Sequence, residues 1–251
     1  MFGEAFPGQG GTMLRLKTLL PLIACAGILL AVVGAVVGQL DPDPYLDPLN
    51  LTVSEYAVLD RGGATEFSMM ALGVGSLALV AGLRMAQAPT GAVAERLMLV
   101  WSGALLLIAV VPTTAPGLAM DLGAQVHRYV SITAFTVMPV AGAMMAARFG
   151  RDERWRAVAR PLEWLALAGG FGLLAITYVA LPGDRVLIGL VERVLLGTEV
   201  ALVGVLAVRL AQLTWPRAAR LPWNPRGSRL ARLARSAQGS QGSQRSRVAL
   251  G

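Results

Sequence analysis

The chain has a single histidine, His127, and its last apolar segment carries the ionisable residues Glu192, Arg193 and Glu199 well inside its ends. An imidazole gives and takes protons near neutral pH. His127 is therefore a candidate general acid or base, with Ser54, Ser131 or Tyr178 as the hydroxyl it would activate. Asp121 and Arg128 lie beside it, after the linker Pro112-Thr113-Thr114-Ala115-Pro116. Glu192 and Glu199 are seven apart and share one helical face, whereas Arg193 points elsewhere. Ser54, Glu55, Asp121, His127, Arg128, Glu192 and Arg193 would together outline a polar ligand pocket. In it Arg128 and Arg193 would hold an anionic headgroup while the acids orient them. The plainer reading is a buried ion-pair network that fixes helix register. A charge within an apolar helix costs about 2.5 to 3.5 kcal/mol and demands a partner.

Other chemistries lack their residues. One histidine cannot supply the two axial ligands of a membrane cytochrome b, and no thiolate pair supports a zinc site, so neither cofactor nor metal is expected. Cys25 sits inside the first apolar run and reads as a small core residue. The run Gly73-Val74-Gly75-Ser76-Leu77-Ala78 mimics a dinucleotide fingerprint, but no strand precedes it, so its glycines read as helix-packing positions. There is no phosphate-binding loop, no Gly-x-Ser-x-Gly elbow and no Ser-x-x-Lys pair.

The elements that must hold these residues follow from composition. Hydrophobic residues make up 55% and charged residues 15% of the 251, and the mean hydropathy is +0.60. A soluble domain carries roughly 25% charged residues, so this chain needs an apolar solvent. Runs of about 20 apolar residues cross a bilayer as helices, and six occur, at about Thr18 to Leu40, Glu66 to Leu83, Leu97 to Val111, Gln125 to Ala147, Leu162 to Leu181 and Val186 to Leu210. The first is too long and too poorly followed by a small-x-small site to be a secretory signal, so it is read as uncleaved. Its small residues Gly27, Ala31, Gly34, Ala35 and Gly38 allow another backbone to approach closely. Between the first two runs, Pro42, Pro44 and Pro48 interrupt regular helix. The stretch Leu51 to Leu59 then suits a short interfacial helix, with Thr52 or Ser54 as its cap.

The fold class is thus all-α, a polytopic six-transmembrane-helix bundle. Residues 1–14 form a flexible lead-in, 15–210 the membrane domain and 211–251 a basic, partly disordered tail. Asp41, Asp43, Asp47, Glu55, Asp60, Asp121 and Asp184 fall on connections of one side. Arg15, Lys17, Arg84, Arg96 and the cluster from Arg148 to Arg160 fall on the other. The positive-inside rule puts both termini in the cytoplasm of a multi-pass plasma (inner) membrane protein, with His127 at the outer face. The net charge of +7 is therefore a matter of orientation, and nucleic acid is not an expected partner. In the tail, Arg226, Arg229, Arg232 and Arg235 recur every three residues and suit anionic headgroups, at about 1 kcal/mol per arginine near the surface.

The order of these features carries a resemblance. An Asp/Pro-rich first loop ends in Ser54-Glu55, a helix closes on Pro112, Gly123-x-x-x-His127 opens the next, and Gly189-Leu190-Val191-Glu192-Arg193 lies in the last. In these respects residues 15–210 resemble the bacterial integral membrane family catalogued as domain of unknown function 998. The resemblance implies a six-helix fold with shared polar positions at Ser54, Glu55, His127, Glu192 and Arg193, and no assigned activity. The expected function is binding of a membrane lipid or other amphipathic ligand in an outer-leaflet pocket. The competing reading is a lipid hydrolase or transferase with His127 as acid or base and Ser54 at hand. It requires His127 within hydrogen-bond reach of a hydroxyl, about 2.6 to 3.2 Å. A small-solute transporter would need a wet route from Glu192 and Glu199 to both faces. A scaffold whose polar groups only lock the fold is the remaining alternative, and no protein partner can be named.

Overall fold

The computed structural model describes residues 9–38, 46–59 and 63–215, with side chains from Thr18 onward. The acids Asp41, Asp43 and Asp60, the Arg15 and Lys17 side chains, and the arginine-rich tail beyond Trp215 lie outside the described residues. Seven helices follow in order: α1 (Gln9–Val37), α2 (Val53–Leu59), α3 (Ala64–Met85), α4 (Ala92–Val110), α5 (Leu122–Phe149), α6 (Arg156–Ala180) and α7 (Ile188–Thr214). Six are long and apolar enough to cross a membrane, α1 from Thr18 onward. The seventh, α2, is a short helix between the first two spans, where a short helix was expected. Among the described residues there is no strand.

Helices α1, α4, α5 and α6 start three or more residues before the runs read off hydropathy, because hydropathy marks the apolar part of a helix and not its polar first turn. Helix α4 begins at Ala92, five residues before the apolar run. Glu95 in its first turn accepts hydrogen bonds from Arg84 Nε and Thr90 Oγ1, both at 2.7 Å, and an acid there also complements the helix dipole. Helix α5 begins at Leu122 because the Asp121 carboxylate caps it, accepting the Ala124 N–H at 2.7 Å. Helix α6 begins at Arg156, six residues before the apolar run.

The spans pack side by side: α1 on α3, α3 on α4, α4 on α5, α5 on α6, α6 on α7 and α7 back on α1. Helix α7 also touches α2, α3 and α5. This surrounded position is why the helix that carries Glu192, Arg193 and Glu199 can keep them off the lipid. Small residues set the closest approach. A methyl on Gly27 of α1 would lie 2.8 Å from both Ala71 O and the Gly75 Cα of α3, and Gly73 is packed by Leu106 in the same way. The glycines of the dinucleotide-like run are therefore helix-packing positions, as read from sequence.

The bundle is filled unevenly along its length. Near the arginine-rich connections, Met98, Met145, Phe149, Trp155 and Leu206 are fully buried, and Phe149 stacks on Trp155 with ring centroids 4.9 Å apart. Toward the opposite end the packing opens into a cavity of about 180 Å³.

Candidate functional site

The site is built on residues 46–59, which fold against the start of α7. Asp47 accepts the Leu49 N–H at 2.9 Å and the Asn50 amide at 2.6 Å, closing a turn. The Asn50 amide, with the Leu49 N–H after it, holds the Asp47 carboxyl below the usual carboxylate range. Arg193 Nη1 donates to Pro48 O at 2.6 Å, Leu51 O at 3.0 Å and Gly189 O at 3.1 Å. The Leu190 N–H reaches Leu49 O at 3.1 Å, and the Leu187 N–H reaches Asn50 Oδ1 at 2.8 Å. The approach is so close that any Cβ at position 189 would collide with the Leu51 and Pro48 carbonyl oxygens. Only glycine fits there.

The chain then turns into α2 through a capping box. Glu55 N–H donates to Thr52 Oγ1 at 3.1 Å, and Thr52 N–H donates to Glu55 Oε2 at 3.0 Å. Thr52, not Ser54, is thus the cap, which leaves the Ser54 hydroxyl free. Glu192 Oε2 accepts the next orphan donor, Val53 N–H, at 2.6 Å. Arg185 grips the Glu55 carboxylate from outside at 2.7 and 2.8 Å.

Held in this way, Ser54 Oγ lies 2.9 Å from His127 Nε2. The other ring nitrogen, Nδ1, lies 2.5 Å from Val111 O. A carbonyl only accepts, so Nδ1 carries a proton, and in the neutral imidazole Nε2 turns its lone pair to Ser54, whose O–H donates. His127 is 7% exposed, and this tautomer is set by the carbonyl of Val111, the residue that follows α4 and precedes Pro112. The pair sits on the wall of the cavity, whose polar lining also includes Thr65, Glu66, Thr113, Ser131, Glu192 and Glu199. Glu199 is deepest: it is 2% exposed, accepts the Trp101 indole N–H at 3.1 Å through Oε2, and leaves Oε1 without a partner. Met69, Leu105, Ile108, Phe135 and Leu196 supply apolar wall. Among the described residues no lysine or arginine lines this cavity.

The seven residues singled out from sequence divide accordingly. Ser54, His127 and Glu192 share the cavity. Glu55 turns outward to Arg185. Asp121 is an exposed helix cap, and Arg128 is exposed on α5 away from the cavity lining. Arg193 lies on the far side of α2, with its guanidinium carbon 5.6 Å from the centre of the Tyr56 ring. The two arginines expected to clasp an anion together are therefore not brought together, because one serves backbone carbonyls and the other faces outward. Tyr178 is exposed, and Thr177 bonds Leu173 O within its own helix. Sequence reasoning missed Thr65, Thr113 and Trp101. For Ser54, the pattern Thr52-x-x-Glu55 was the available signal that another residue does the capping. Among the described residues no cluster of His, Cys, Asp or Glu could hold a metal ion.

No curated protein and no solved structure matches the chain. The family described as "Protein of unknown function (DUF998)" matches residues 25–209, which includes the four middle spans, most of the first and last, and the whole of the Ser54–His127 site. The chain is a multi-pass, all-helical member of the DUF998 family.

Proposed function

We propose that the protein is a membrane-embedded hydrolase or transferase acting on an ester of an amphipathic lipid, with Ser54 as nucleophile and His127 as general base. The observation that carries this reading is the 2.9 Å contact between Ser54 Oγ and His127 Nε2, with the opposite ring nitrogen anchored on Val111 O. A nucleophile bonded to a base that a third group orients is the arrangement acyl transfer needs. Ser54 Oγ attacks the ester carbonyl while its proton passes to Nε2. The C–O bond to the leaving alcohol then breaks and the alcohol takes that proton. Water, or a second alcohol, repeats the sequence on the acyl-Ser54 ester and regenerates the pair. Hydroxyls of Thr65, Thr113 and Ser131 line the same cavity and offer donors to the developing oxyanion.

Side of membrane and location belong to the same proposal. Among the described residues at the helix ends, Asp47, Glu55, Asp121 and Asp184 stand with Arg185 at the His127 end, and Arg84, Arg148, Arg151, Arg154 and Arg156 stand with Asp152 and Glu153 at the other. This charge bias supports a plasma-membrane protein with both termini cytoplasmic and the site in the outer leaflet. Contact of the basic tail with anionic headgroups rests on its sequence alone.

A second reading, reversible binding of an amphipathic ligand without chemistry, is favoured by the acidic lining. Glu66, Glu192 and Glu199 face a cavity whose described lining holds no lysine or arginine, which suits a ligand with an ammonium or other hydrogen-bond donor. Transport is supported less, because Met98, Met145, Phe149 and Leu206 fill the bundle below Glu199. Turnover of p-nitrophenyl octanoate by the purified full chain in detergent separates the first two readings. Hydrolysis that falls roughly 10³-fold or more in both Ser54→Ala and His127→Ala supports catalysis. No turnover, or equal turnover in Ser54→Ala, leaves binding as the function.

A further inference from the structure

Beside the cavity lies a second and larger space. It is a groove of about 610 Å³ between α1, α3 and α7, roofed at one end by Val53 and Tyr56 of α2. Its sides are apolar, with Val32 and Val36 on α1 and Val200 and Ala201 on α7, and both α1 valines are exposed where the helix meets lipid. Arg193, already over the Tyr56 ring, stands at the roofed end. Thr65, Met69 and Leu196 line both the groove and the cavity. The partition between the two is therefore one layer of side chains, and Met69 within it is unbranched and flexible.

The volumes decide what each space can hold. A dry cavity of about 150 Å³ takes a molecule of benzene's size, and whole-ligand sites run from about 300 to 1,000 Å³. At about 180 Å³ the Ser54–His127 cavity admits only the reacting part of an amphiphile. The remainder needs room elsewhere, and the groove supplies it next door.

We propose that the groove between α1, α3 and α7 is a lateral portal through which a membrane lipid passes one acyl chain from the bilayer, past Met69 and Leu196, to the Ser54–His127 cavity. The inference rests on the reading of that cavity as a lipid site and names the source of its substrate: the bilayer, not the aqueous phase. The occupant is a two-part molecule. Its ester carbonyl and the adjoining end of one chain reach the cavity, the rest of that chain lies along the apolar walls, and its phosphate oxygens lie toward Arg193 at the polar end, where charge complementarity favours them.

Gly197 gives a clean obstruction. It lines the groove, is exposed, and a side chain built there meets nothing within 4 Å. The full chain is reconstituted in phosphatidylcholine vesicles doped with a phospholipid bearing a diazirine in its acyl chain, irradiated, and mapped by mass spectrometry. Wild type is expected to carry adducts at the cavity residues Ile108 or Phe135, which do not line the groove. In Gly197→Trp those adducts fall at least about tenfold. In Gly103→Trp, an equally open glycine on exposed α4 surface, they persist. If Gly197→Trp does not fold, Ala201→Trp on the same exposed wall carries the comparison. Ser54→Ala keeps the wild-type pattern, so the portal is read whether or not Ser54 is a nucleophile. Absence of cavity adducts in wild type, or adducts undiminished by the groove variants, overturns the portal.

Discussion

Ser54 and His127 are 73 positions apart in the chain, yet Oγ and Nε2 lie 2.9 Å from each other. The contact does not arise from α2 and α5 packing directly on one another. It is imposed from α7, whose Glu192 and Arg193 fix residues 46–53 against the bundle and so set where Ser54 points. The Glu-Arg pair that sequence analysis placed in the ligand pocket is divided between two tasks: Glu192 faces the cavity and holds Val53, and Arg193 ties down the preceding turn.

Removing Arg193 should therefore cost far more than removing Arg185. Arg193→Ala leaves the carbonyls of Pro48, Leu51 and Gly189 without their donor, and charged hydrogen bonds are worth about 1.5 to 3 kcal/mol each at most. Arg185→Ala removes an ion pair whose arginine is 52% exposed, which is worth about 0.2 to 1 kcal/mol. Unfolding in mixed micelles is expected to place Arg193→Ala at least 1.5 kcal/mol below Arg185→Ala on the charged-hydrogen-bond scale. Equal losses would mean the clamp is not where residues 46–53 are held.

At Glu192 the acceptor matters more than the charge. Glu192→Gln keeps an oxygen for the Val53 N–H, whereas Glu192→Ala removes it and orphans a part-buried donor, at a cost of about 1 to 3 kcal/mol. Protection of the Val53 and Ser54 amides from hydrogen exchange should survive in the glutamine variant and collapse in the alanine variant. Loss of protection in both would assign the role to the carboxylate charge instead.

Gly189→Ala tests the close approach on its own. Its methyl would strike the Leu51 and Pro48 carbonyl oxygens, and both belong to backbone that cannot move aside without breaking the Arg193 bonds. Overpacking of this kind costs about 1 to 3 kcal/mol, read as a lowered unfolding midpoint. Gly170→Ala, with open space around it, should leave the midpoint unchanged or slightly raised, because alanine favours helix over glycine, and a matching drop there would mean that the close approach is not the cause of the loss at Gly189.

The Asp47 turn should respond to acid in one direction. Its carboxyl is held below the ordinary range by the Asn50 amide and the Leu49 N–H, so folding favours the ionised form. The turn's contribution is full above the unfolded value of about 3.9 and disappears as pH falls through the lower folded value. Hydrogen exchange of residues 46–59, corrected for intrinsic rate, should be flat from about pH 5 to 8 and rise only below about pH 4. A rise already near neutral pH would point to another group. Asp47→Asn should abolish the acid step.

Much of this arrangement was legible in the residues themselves. The six spans followed from apolar runs that only a bilayer can solvate, and the small residues from Gly27 to Gly38 foretold a close neighbour, which proved to be α3. His127 was conspicuous as the sole imidazole, and Ser54 as one hydroxyl in its reach. The partners of the two arginines were hidden, because Arg193 spends its donors on backbone carbonyls 142 and 145 positions away and a carbonyl has no signature in sequence. Asp121 and Arg128 lie near His127 in the chain, but α5 turns successive side chains by about 100°, so neighbours in sequence face different surroundings. The Trp101–Glu199 bond was equally invisible, since each residue reads as an isolated oddity within its own apolar helix.

The Ser54–His127 pair is tested most directly by covalent labelling of the purified full chain with an alkyl fluorophosphonate. The reagent forms an Oγ–P bond and loses fluoride only at a serine whose proton has somewhere to go. A single adduct on the peptide containing Ser54, absent in Ser54→Ala and strongly reduced in His127→Gln while the unfolding midpoint is retained, is the predicted result. No adduct at Ser54, or an adduct formed equally well without the imidazole, would contradict the account.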